Sequence, residues 1–225
     1  FEGVDHMHRV MDGPIGDDIL KAFEPHGYVG LAFYDGGSRS FYNKVKPIKS
    51  IEDLEGMKVR VMQSDIFVDM MTALGANATP MPYGEVYSAI QTGVIDGAIY
   101  GGPVEYEQLK LNETAQNYTF MNMLMPGWTE TFLANPAAWE KLSDEHKQIL
   151  ETAIAQFAED IHQWLADGNQ GVAEGTFEYA TLPDADSKAL TAAAQGVWQE
   201  EAARSERNGK LIDLLVDNAK AQGRL

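Results

Sequence analysis

Apolar Met57, Val59 and Val61 alternate with Lys58, Arg60 and Met62 over residues 57–62, whose sequence is MKVRVM. This period of two predicts a β-strand with one apolar face and with Arg60 on the opposite face. Apolar positions then follow helical spacing over 67–74 and again over 86–90, and a strand-like run, VIDGAIYGG, occupies 94–102. The order strand, helix, strand, helix, strand predicts a parallel sheet with right-handed crossovers.

The flanking segments predict further elements. Two helical pieces broken at Gly13 and Pro14 precede the sequence YVGLAFYD over 28–35, which is apolar on both faces and is typical of a strand in a helix-covered parallel sheet. Ser143 starts a helical pattern that keeps its spacing as far as Leu165, which is far longer than a typical helix. Two more helices are predicted, over 184–204 and 210–221.

Composition narrows the class of protein. The chain has 225 residues, 44% of them hydrophobic, which is enough for one large domain or two small lobes. Its net charge of −17 makes nucleic acid an unfavourable partner, and its lack of cysteine excludes disulfides and thiolate metal sites. No apolar run approaches the roughly 18 residues that a membrane helix needs, and no secretory signal opens the chain.

Arg60 is the main candidate for binding chemistry. A guanidinium in an apolar strand is costly to bury without an anion, and its fork of donors matches a carboxylate in two parallel hydrogen bonds. The residues alone leave two interpretations equally open. Arg60 binds the carboxylate of a ligand, or it pairs internally with Glu52, Asp53 or another acid of this acidic chain.

The sequences MKVRVMQS and ALGANATPMPYGEVYSAIQTGVIDGA, over 57–64 and 73–98, resemble the solute-binding proteins of tripartite ATP-independent periplasmic (TRAP) transporters, the C4-dicarboxylate-binding (DctP) family. Weaker similarity extends from about Phe1 to the C-terminus. The resemblance implies an α/β, two-lobed periplasmic-binding-protein-like fold with parallel-rich sheets and a long spine helix. It also implies a periplasmic carrier and not an enzyme, which captures a small organic or sugar acid and delivers it to TRAP membrane subunits.

The resemblance assigns roles to particular residues. Arg60 matches the arginine that clamps the ligand carboxylate, and Arg39, in GGSR, matches a second arginine at the ligand or its water shell. Gln63 matches a polar ligand contact and Tyr83 an aromatic one. Each of these residues also has a plainer interpretation. Arg39 could be a solvated loop side chain, Gln63 a surface glutamine and Tyr83 an aromatic residue of the core. Trp128 is expected to line the wall of the cleft. The alternative is that its side chain only packs in the protein interior.

The loop after Asp96 departs from the family pattern. Many relatives have a glutamate where this chain has Ile99, followed by a residue in the position of Tyr100 that contacts the ligand. Because Ile99 offers no oxygen ligand, no metal ion and no cofactor are expected, whereas Tyr100 can still present a hydroxyl or a ring face. The five histidines are isolated or poorly spaced for a metal, and no HExxH or GxSxG motif occurs.

The resemblance also predicts the domain organisation. Residues 1–35 and 128–165 are expected to be the remains of the first lobe, and 36–127 and 166–225 the second, with the ligand cleft between them and closing on the ligand. The start of the first lobe is expected to be missing, because the chain is a fragment or because its beginning was not recorded. An α/β hydrolase or lyase acting on an acidic substrate, and a periplasmic ligand sensor, are the alternative functions.

Overall fold

The computed structural model describes residues 4–37, 39–120, 128–175, 179–181 and 184–221. The helices are α1 (Val4–Met11), α2 (Pro14–Lys21), α3 (Asp65–Ala73), α4 (Val86–Thr92), α5 (Pro103–Gln108), α6 (Pro136–Trp139), α7 (Asp144–Gly175), α8 (Asp184–Arg204) and α9 (Glu206–Ala221). The strands are β1 (Val29–Asp35), β2 (Ser40–Asn43), β3 (Lys58–Val61), β4 (Asn77–Pro80), β5 (Gly97–Tyr100), β6 (Asn117–Phe120), β7 (Thr129–Ala134) and β8 (Tyr179–Thr181). Short 3-10 helices at Glu24–His26, Ile51–Leu54, Tyr83–Glu85 and Leu111–Glu113 complete the elements.

The chain divides into two compact units. Unit 1 comprises Phe1–Ser40, Gly101–Lys110 and Met125–Phe177, and unit 2 comprises Phe41–Tyr100, Leu111–Leu124 and Glu178–Leu225. The two lobes expected from the sequence stay a prediction for the intact protein. The expected boundary between residues 127 and 128 falls at the end of residues 121–127, which lie outside the described residues.

The larger sheet has the strand order β4-β3-β5-β2-β6-β8 among the described residues. β3 is parallel to both β4 and β5, with Arg60 opposite Thr79 on one side and Ala98 on the other. This arrangement confirms the parallel pairing predicted from the alternation of strands and helices. Arg60 therefore lies on an interior strand, where its backbone is held from both sides.

Local sequence signals set the ends of the helices in unit 2. Gly75 follows α3 with a φ of +82°, and Gly93 follows α4 with a φ of +84°. Glycine adopts this left-handed conformation without the steric cost of a side chain, and so ends each helix where the sequence predicts. The apolar faces of α3 and α4 are buried, with Met71 and Ile90 fully enclosed. These contacts cover the sheet on which Arg60 lies.

Unit 1 contains one correction to the sequence analysis. β1 was expected in a parallel sheet, but it pairs antiparallel with β7, from Val29 opposite Ala134 to Asp35 opposite Thr129. Five of its seven residues are only half-buried. An apolar run has the same pattern in a parallel and in an antiparallel pair of strands. The direction of pairing depends on the partner strand, which is about a hundred residues away in the chain.

The long helix α7 confirms the prediction from its amphipathic pattern. It runs for 32 residues, from Asp144 to Gly175, and it packs against β1 and α5 within unit 1. Gly168 allows close approach, since a Cβ atom there would lie 2.7 Å from a methyl carbon of Val104 on α5. α8 and α9 also confirm predicted helices, and α9 begins at Glu206, a turn earlier than expected.

Gly97 gives a test of the sheet. An alanine Cβ at this position would lie 2.4 Å from the carbonyl oxygen of Tyr42 and 2.6 Å from the Cβ of Asn43, both on the neighbouring strand β2. Because backbone on an interior strand cannot move aside, we expect Gly97→Ala to lower the free energy of unfolding by about 1 to 3 kcal/mol in urea titrations.

Gly84→Ala is the matched control, because nothing lies within 4 Å of its added Cβ and its φ is not in the left-handed region. It should leave stability unchanged or raise it by up to about 1 kcal/mol. An equal loss of stability in both variants would contradict the close approach of β5 to β2.

Candidate ligand-binding site

Arg60 lies in the interior of unit 2 and only 4% of its surface is exposed. Its Nε donates a hydrogen bond to the carbonyl oxygen of Met81 over 3.0 Å. Its Nη1 is buried and has no hydrogen-bond partner among the described residues. A buried donor of a charged group is costly to leave unsatisfied, which makes this end of the guanidinium a candidate position for an anion.

The acids that could have paired with Arg60 are engaged elsewhere. Asp53 lies 2.8 Å from Lys46 Nζ and accepts hydrogen bonds from the backbone N–H groups of Lys49 and Ser50. Hydrogen bonds, above all with Lys46, lower the pKa of Asp53, and bonds from the local backbone lower that of Glu52. Within the described part of the chain no carboxylate forms an ion pair with Arg60, so internal pairing with Glu52 or Asp53 is wrong.

Three tyrosines surround the Arg60 guanidinium. The rings of Tyr83 and Tyr100 stack at 4.1 Å with 21° between their planes, and the Arg60 Cζ lies 5.8 Å from the Tyr83 ring. Tyr42, fully buried on β2, also interacts electrostatically with Arg60. The structure thus brings together Arg60, Tyr83 and Tyr100, as the sequence predicts, and adds Tyr42, which sequence reasoning missed.

Burial affects the charges at this site. It lowers the pKa of the Arg60 guanidinium from its usual value and raises the pKa of the Tyr42 hydroxyl well above its usual value. Arginine stays charged in proteins, so the lowered pKa means that its positive charge is poorly solvated. An anion that binds here would restore the lost solvation of that charge.

Gln63 lies two residues beyond the end of β3, and its side chain is exposed. It forms no hydrogen bond with any other residue that the structure describes. Its predicted contact with a ligand therefore stays a prediction.

Arg39 and Trp128 meet in unit 1. Arg39 is buried, and its Cζ lies 3.8 Å from the centre of the Trp128 ring. The backbone N–H of Gly36 donates to the Trp128 carbonyl over 2.7 Å, and the indole Nε1 donates to Glu130 over 2.8 Å. Arg39 is therefore not a solvated loop side chain, because its guanidinium is buried against an aromatic ring. The ligand contacts predicted for both residues stay predictions.

Ile99 is part of the core of unit 2, with 1% of its surface exposed on β5. A hydrocarbon side chain there cannot coordinate a cation. Tyr100, the next residue, points to the opposite side of the strand and supplies the ring stacked on Tyr83. The position where many relatives have an acid is thus used for packing in this chain.

The structure also brings together residues that the sequence analysis left apart. His8 on α1, Asp35 at the end of β1 and His162 on α7 place one side-chain ligand atom each within 4.8 Å of the others. No short motif connects them, since 127 residues separate Asp35 from His162. The only sequence signal is the position of Asp35 at the carboxyl end of an apolar strand.

Glu105 on α5 lies close to this cluster. Its Oε1 is 3.6 Å from the position of a Cβ added to Gly37, two residues after Asp35. Burial, and then the negative charge of Asp35, raise the pKa of Glu105 from its usual value. Unit 1 therefore contains a partly buried group of acids and imidazoles.

The chain matches a family of known proteins over most of its length. The match is to the bacterial extracellular solute-binding proteins of family 7, the DctP family, and it covers residues 1–205. The chain belongs to this family. The resemblance found in the sequence is thereby confirmed, and the DctP family is one of binding proteins rather than enzymes.

A solute-binding protein of Chromohalobacter salexigens is 37% identical to this DctP-family chain over 171 residues, which are 76% of the chain and 50% of the relative. The chain thus spans about half the length of this relative.

Two solved structures share the fold. A TRAP periplasmic solute-binding protein from Sulfitobacter sp. NAS-14.1, with bound β-D-galacturonate, has a TM-score of 0.84 and 35% identity, over 95% of the DctP-family chain and 71% of that protein. One from Chromohalobacter salexigens, with bound D-glucuronate, has a TM-score of 0.86 and 30% identity, over 96% and 72%. The predicted two-lobed α/β class is confirmed by these matches. None of the helices within the described ranges has the length and apolar character needed to cross a bilayer.

Proposed function

We propose that this chain is the ligand-binding part of an extracytoplasmic solute-binding protein for a sugar acid, and that Arg60 binds the carboxylate. The observation that carries the proposal is the buried Nη1 of Arg60, which has no hydrogen-bond partner among the described residues. A guanidinium is the side chain best suited to hold a carboxylate in two parallel hydrogen bonds.

The stacked rings of Tyr83 and Tyr100 support a ligand with a ring. They are both half-buried, so part of their surface is accessible to solvent. Aromatic rings offer apolar surface to the C–H groups of a pyranose, and tyrosine hydroxyls can exchange hydrogen bonds with its hydroxyls. The two uronates bound by the structural neighbours have this combination of a carboxylate and a hydroxylated ring.

The proposal includes release of the acid to the membrane subunits of a TRAP transporter, and membership of the family supports this part of it. The transporter relatives are periplasmic proteins, which is the location that we propose for this chain as well. The net charge of −17 agrees with a freely dissolved carrier that has no affinity for nucleic acid.

The proposal is tested by measuring thermal stability and calorimetric binding with D-galacturonate and D-glucuronate. D-galactose and D-glucose are the matched controls, because they keep the ring but lack the carboxylate. An acid present at 100 times its Kd should raise the free energy of unfolding by about 2.7 kcal/mol, and the neutral sugars should not. Equal binding of the neutral sugars would contradict the arginine clamp.

Chelator gives a second test of how the acid is held. Since Ile99 supplies no metal ligand and Arg60 offers a direct hydrogen bond, the Kd for the acid should be unchanged by excess chelator. Loss of binding in chelator would mean that a cation contributes to binding of the acid.

A further inference from the structure

His8, Asp35 and His162 form a compact group, here called the imidazole cluster. The Oδ2 of Asp35 lies 3.0 Å from His162 Nδ1 and 3.7 Å from His8 Nε2. The two imidazole rings are 4.4 Å apart at their centres and are tilted by 59°. Asp35 is almost fully buried, with 3% of its side chain exposed, whereas the two histidines are about a quarter to a third exposed. The cluster is thus anchored inside unit 1 but reachable from solvent.

These distances match the spacing of ligands around a small divalent ion. Ligand atoms at about 2.0 to 2.1 Å from a tetrahedral zinc ion are about 3.3 Å from one another. The two separations around Asp35 Oδ2 lie on either side of that value. All three ligand atoms lie within 4.8 Å of one another, so reductions of about 1.5 Å or less in their separations would place them around one ion.

The unsatisfied nitrogen of His8 also points to a ligand. His8 Nε2 is buried and has no hydrogen-bond partner among the described residues, although it faces a carboxylate oxygen. A buried imidazole nitrogen in this position normally forms a hydrogen bond or binds a metal. The one short contact, between His162 and Asp35, uses Oδ2 and leaves His8 unsatisfied.

Neighbouring groups lie against two of the three ligands, Asp35 and His8. The backbone N–H of Gly37 donates to the other oxygen of Asp35 over 2.7 Å, which orients Oδ2 towards the histidines. Asp12 lies 3.8 Å from His8 Nδ1, on the side of that ring away from Asp35. Hydrogen bonds and charges of this kind orient metal ligands in known sites, and carboxylate neighbours favour a cation.

We propose that the imidazole cluster of His8, Asp35 and His162 binds one divalent transition-metal ion of the zinc class. Two imidazole nitrogens and one carboxylate oxygen select zinc, cobalt or nickel over calcium and magnesium, which prefer oxygen ligands only. Three protein ligands leave a fourth position open to water. The buried Oε2 of Glu105, which has no partner among the described residues, lies on the neighbouring helix α5 and is a further acidic group in this part of unit 1.

The proposal does not depend on the sugar-acid site, since Arg60 lies in unit 2 and the imidazole cluster in unit 1. Failure of either proposal would therefore leave the other intact. Calorimetric titration of the chain with zinc, and visible absorption after addition of cobalt, measure the cluster directly and need no sugar acid.

We expect one zinc ion per chain, no competition from a large excess of magnesium, and cobalt absorption bands of a site with nitrogen and oxygen ligands. His162→Gln and His8→Gln should each weaken zinc binding by at least about tenfold. His146→Gln is the matched control, because His146 is an exposed histidine on the same helix as His162 and is not part of the cluster. It should leave the zinc affinity unchanged.

His8→Gln keeps the test decisive if His162→Gln unfolds the chain. Replacing His162 removes the hydrogen bond to Asp35, whereas His8 Nε2 forms none to a described residue, so His8→Gln should retain the far-ultraviolet circular dichroism of the original chain. Unchanged zinc affinity in a folded His8→Gln chain would overturn the proposal. Equal weakening in His146→Gln, or no saturable zinc binding at all, would overturn it too.

Discussion

Arg60→Ala is expected to weaken binding of a uronate by about 2 to 5 kcal/mol, which is about thirtyfold or more in Kd. The variant removes the charged donor, while the carboxylate of the ligand still has to leave water. Calorimetry with D-galacturonate and D-glucuronate measures the loss. Unchanged affinity would show that Arg60 does not hold the acid.

Two further replacements of Arg60 separate a ligand contact from a structural role. Arg60→Lys should restore little affinity, because an ammonium group cannot form the two parallel hydrogen bonds of a guanidinium. Arg60→Met fills the same space with an apolar side chain and removes a poorly solvated charge, so the ligand-free chain should unfold at the same or a higher temperature. Affinity should fall in Arg60→Met as it does in Arg60→Ala. A large loss of stability in Arg60→Met would instead indicate that Arg60 supports the fold.

Lys58→Ala is the control for general charge effects at this strand. Lys58 is on β3 too, but its side chain is exposed and donates a hydrogen bond to the Gly93 carbonyl over 2.8 Å. Its removal changes the net charge by the same amount as Arg60→Ala and should leave the Kd nearly unchanged. Equal effects of the two variants would mean that long-range charge, and not a clamp, determines affinity.

Ile99→Ala is expected to lower the free energy of unfolding by about 2 to 5 kcal/mol, measured by urea titration. Ile99 is fully enclosed on an interior strand, so truncation removes buried apolar contacts and leaves a cavity that the sheet cannot close. Ile99→Val should cost only about 0.5 to 1.5 kcal/mol, since it removes one methylene group.

Ile66→Ala is the matched control for this core variant. Ile66 belongs to the same unit but is 40% exposed on α3. Its truncation should change stability by less than about 0.5 kcal/mol. A small effect of Ile99→Ala would mean that this position is not part of the core and would reopen its role at a ligand site.

Much of the fold could be predicted from local patterns. The alternation around Arg60, the helical spacing after it and the glycines at 75 and 93 all depend on neighbours in the chain, and all three correspond to elements of unit 2. The same holds for the long helix α7, whose amphipathic pattern extends over many turns. Family motifs that surround Arg60 were equally local, which is why the family could be identified from the sequence.

The candidate site could be predicted only in part. Arg60, Tyr83 and Tyr100 were placed together correctly, because they belong to neighbouring strand and loop segments of one parallel unit. The contribution of Tyr42 was missed, since β2 enters the sheet between β5 and β6 and not in chain order. Whether Arg60 pairs with Asp53 also required three dimensions, because only the structure shows that Asp53 forms its ion pair with Lys46.

The sequence by itself determined the local elements, the parallel strand pairs around Arg60 and the presence of an arginine within an apolar strand, because periodicity and glycine conformation act over a few residues. The tertiary structure alone decided the antiparallel pairing of β1 with β7 and the meeting of His8, Asp35 and His162. The pairing of β1 with β7 and the contact of His162 with Asp35 each join segments about a hundred or more residues apart. The free energy of such contacts comes from packing of the whole unit, which no short stretch of the chain encodes.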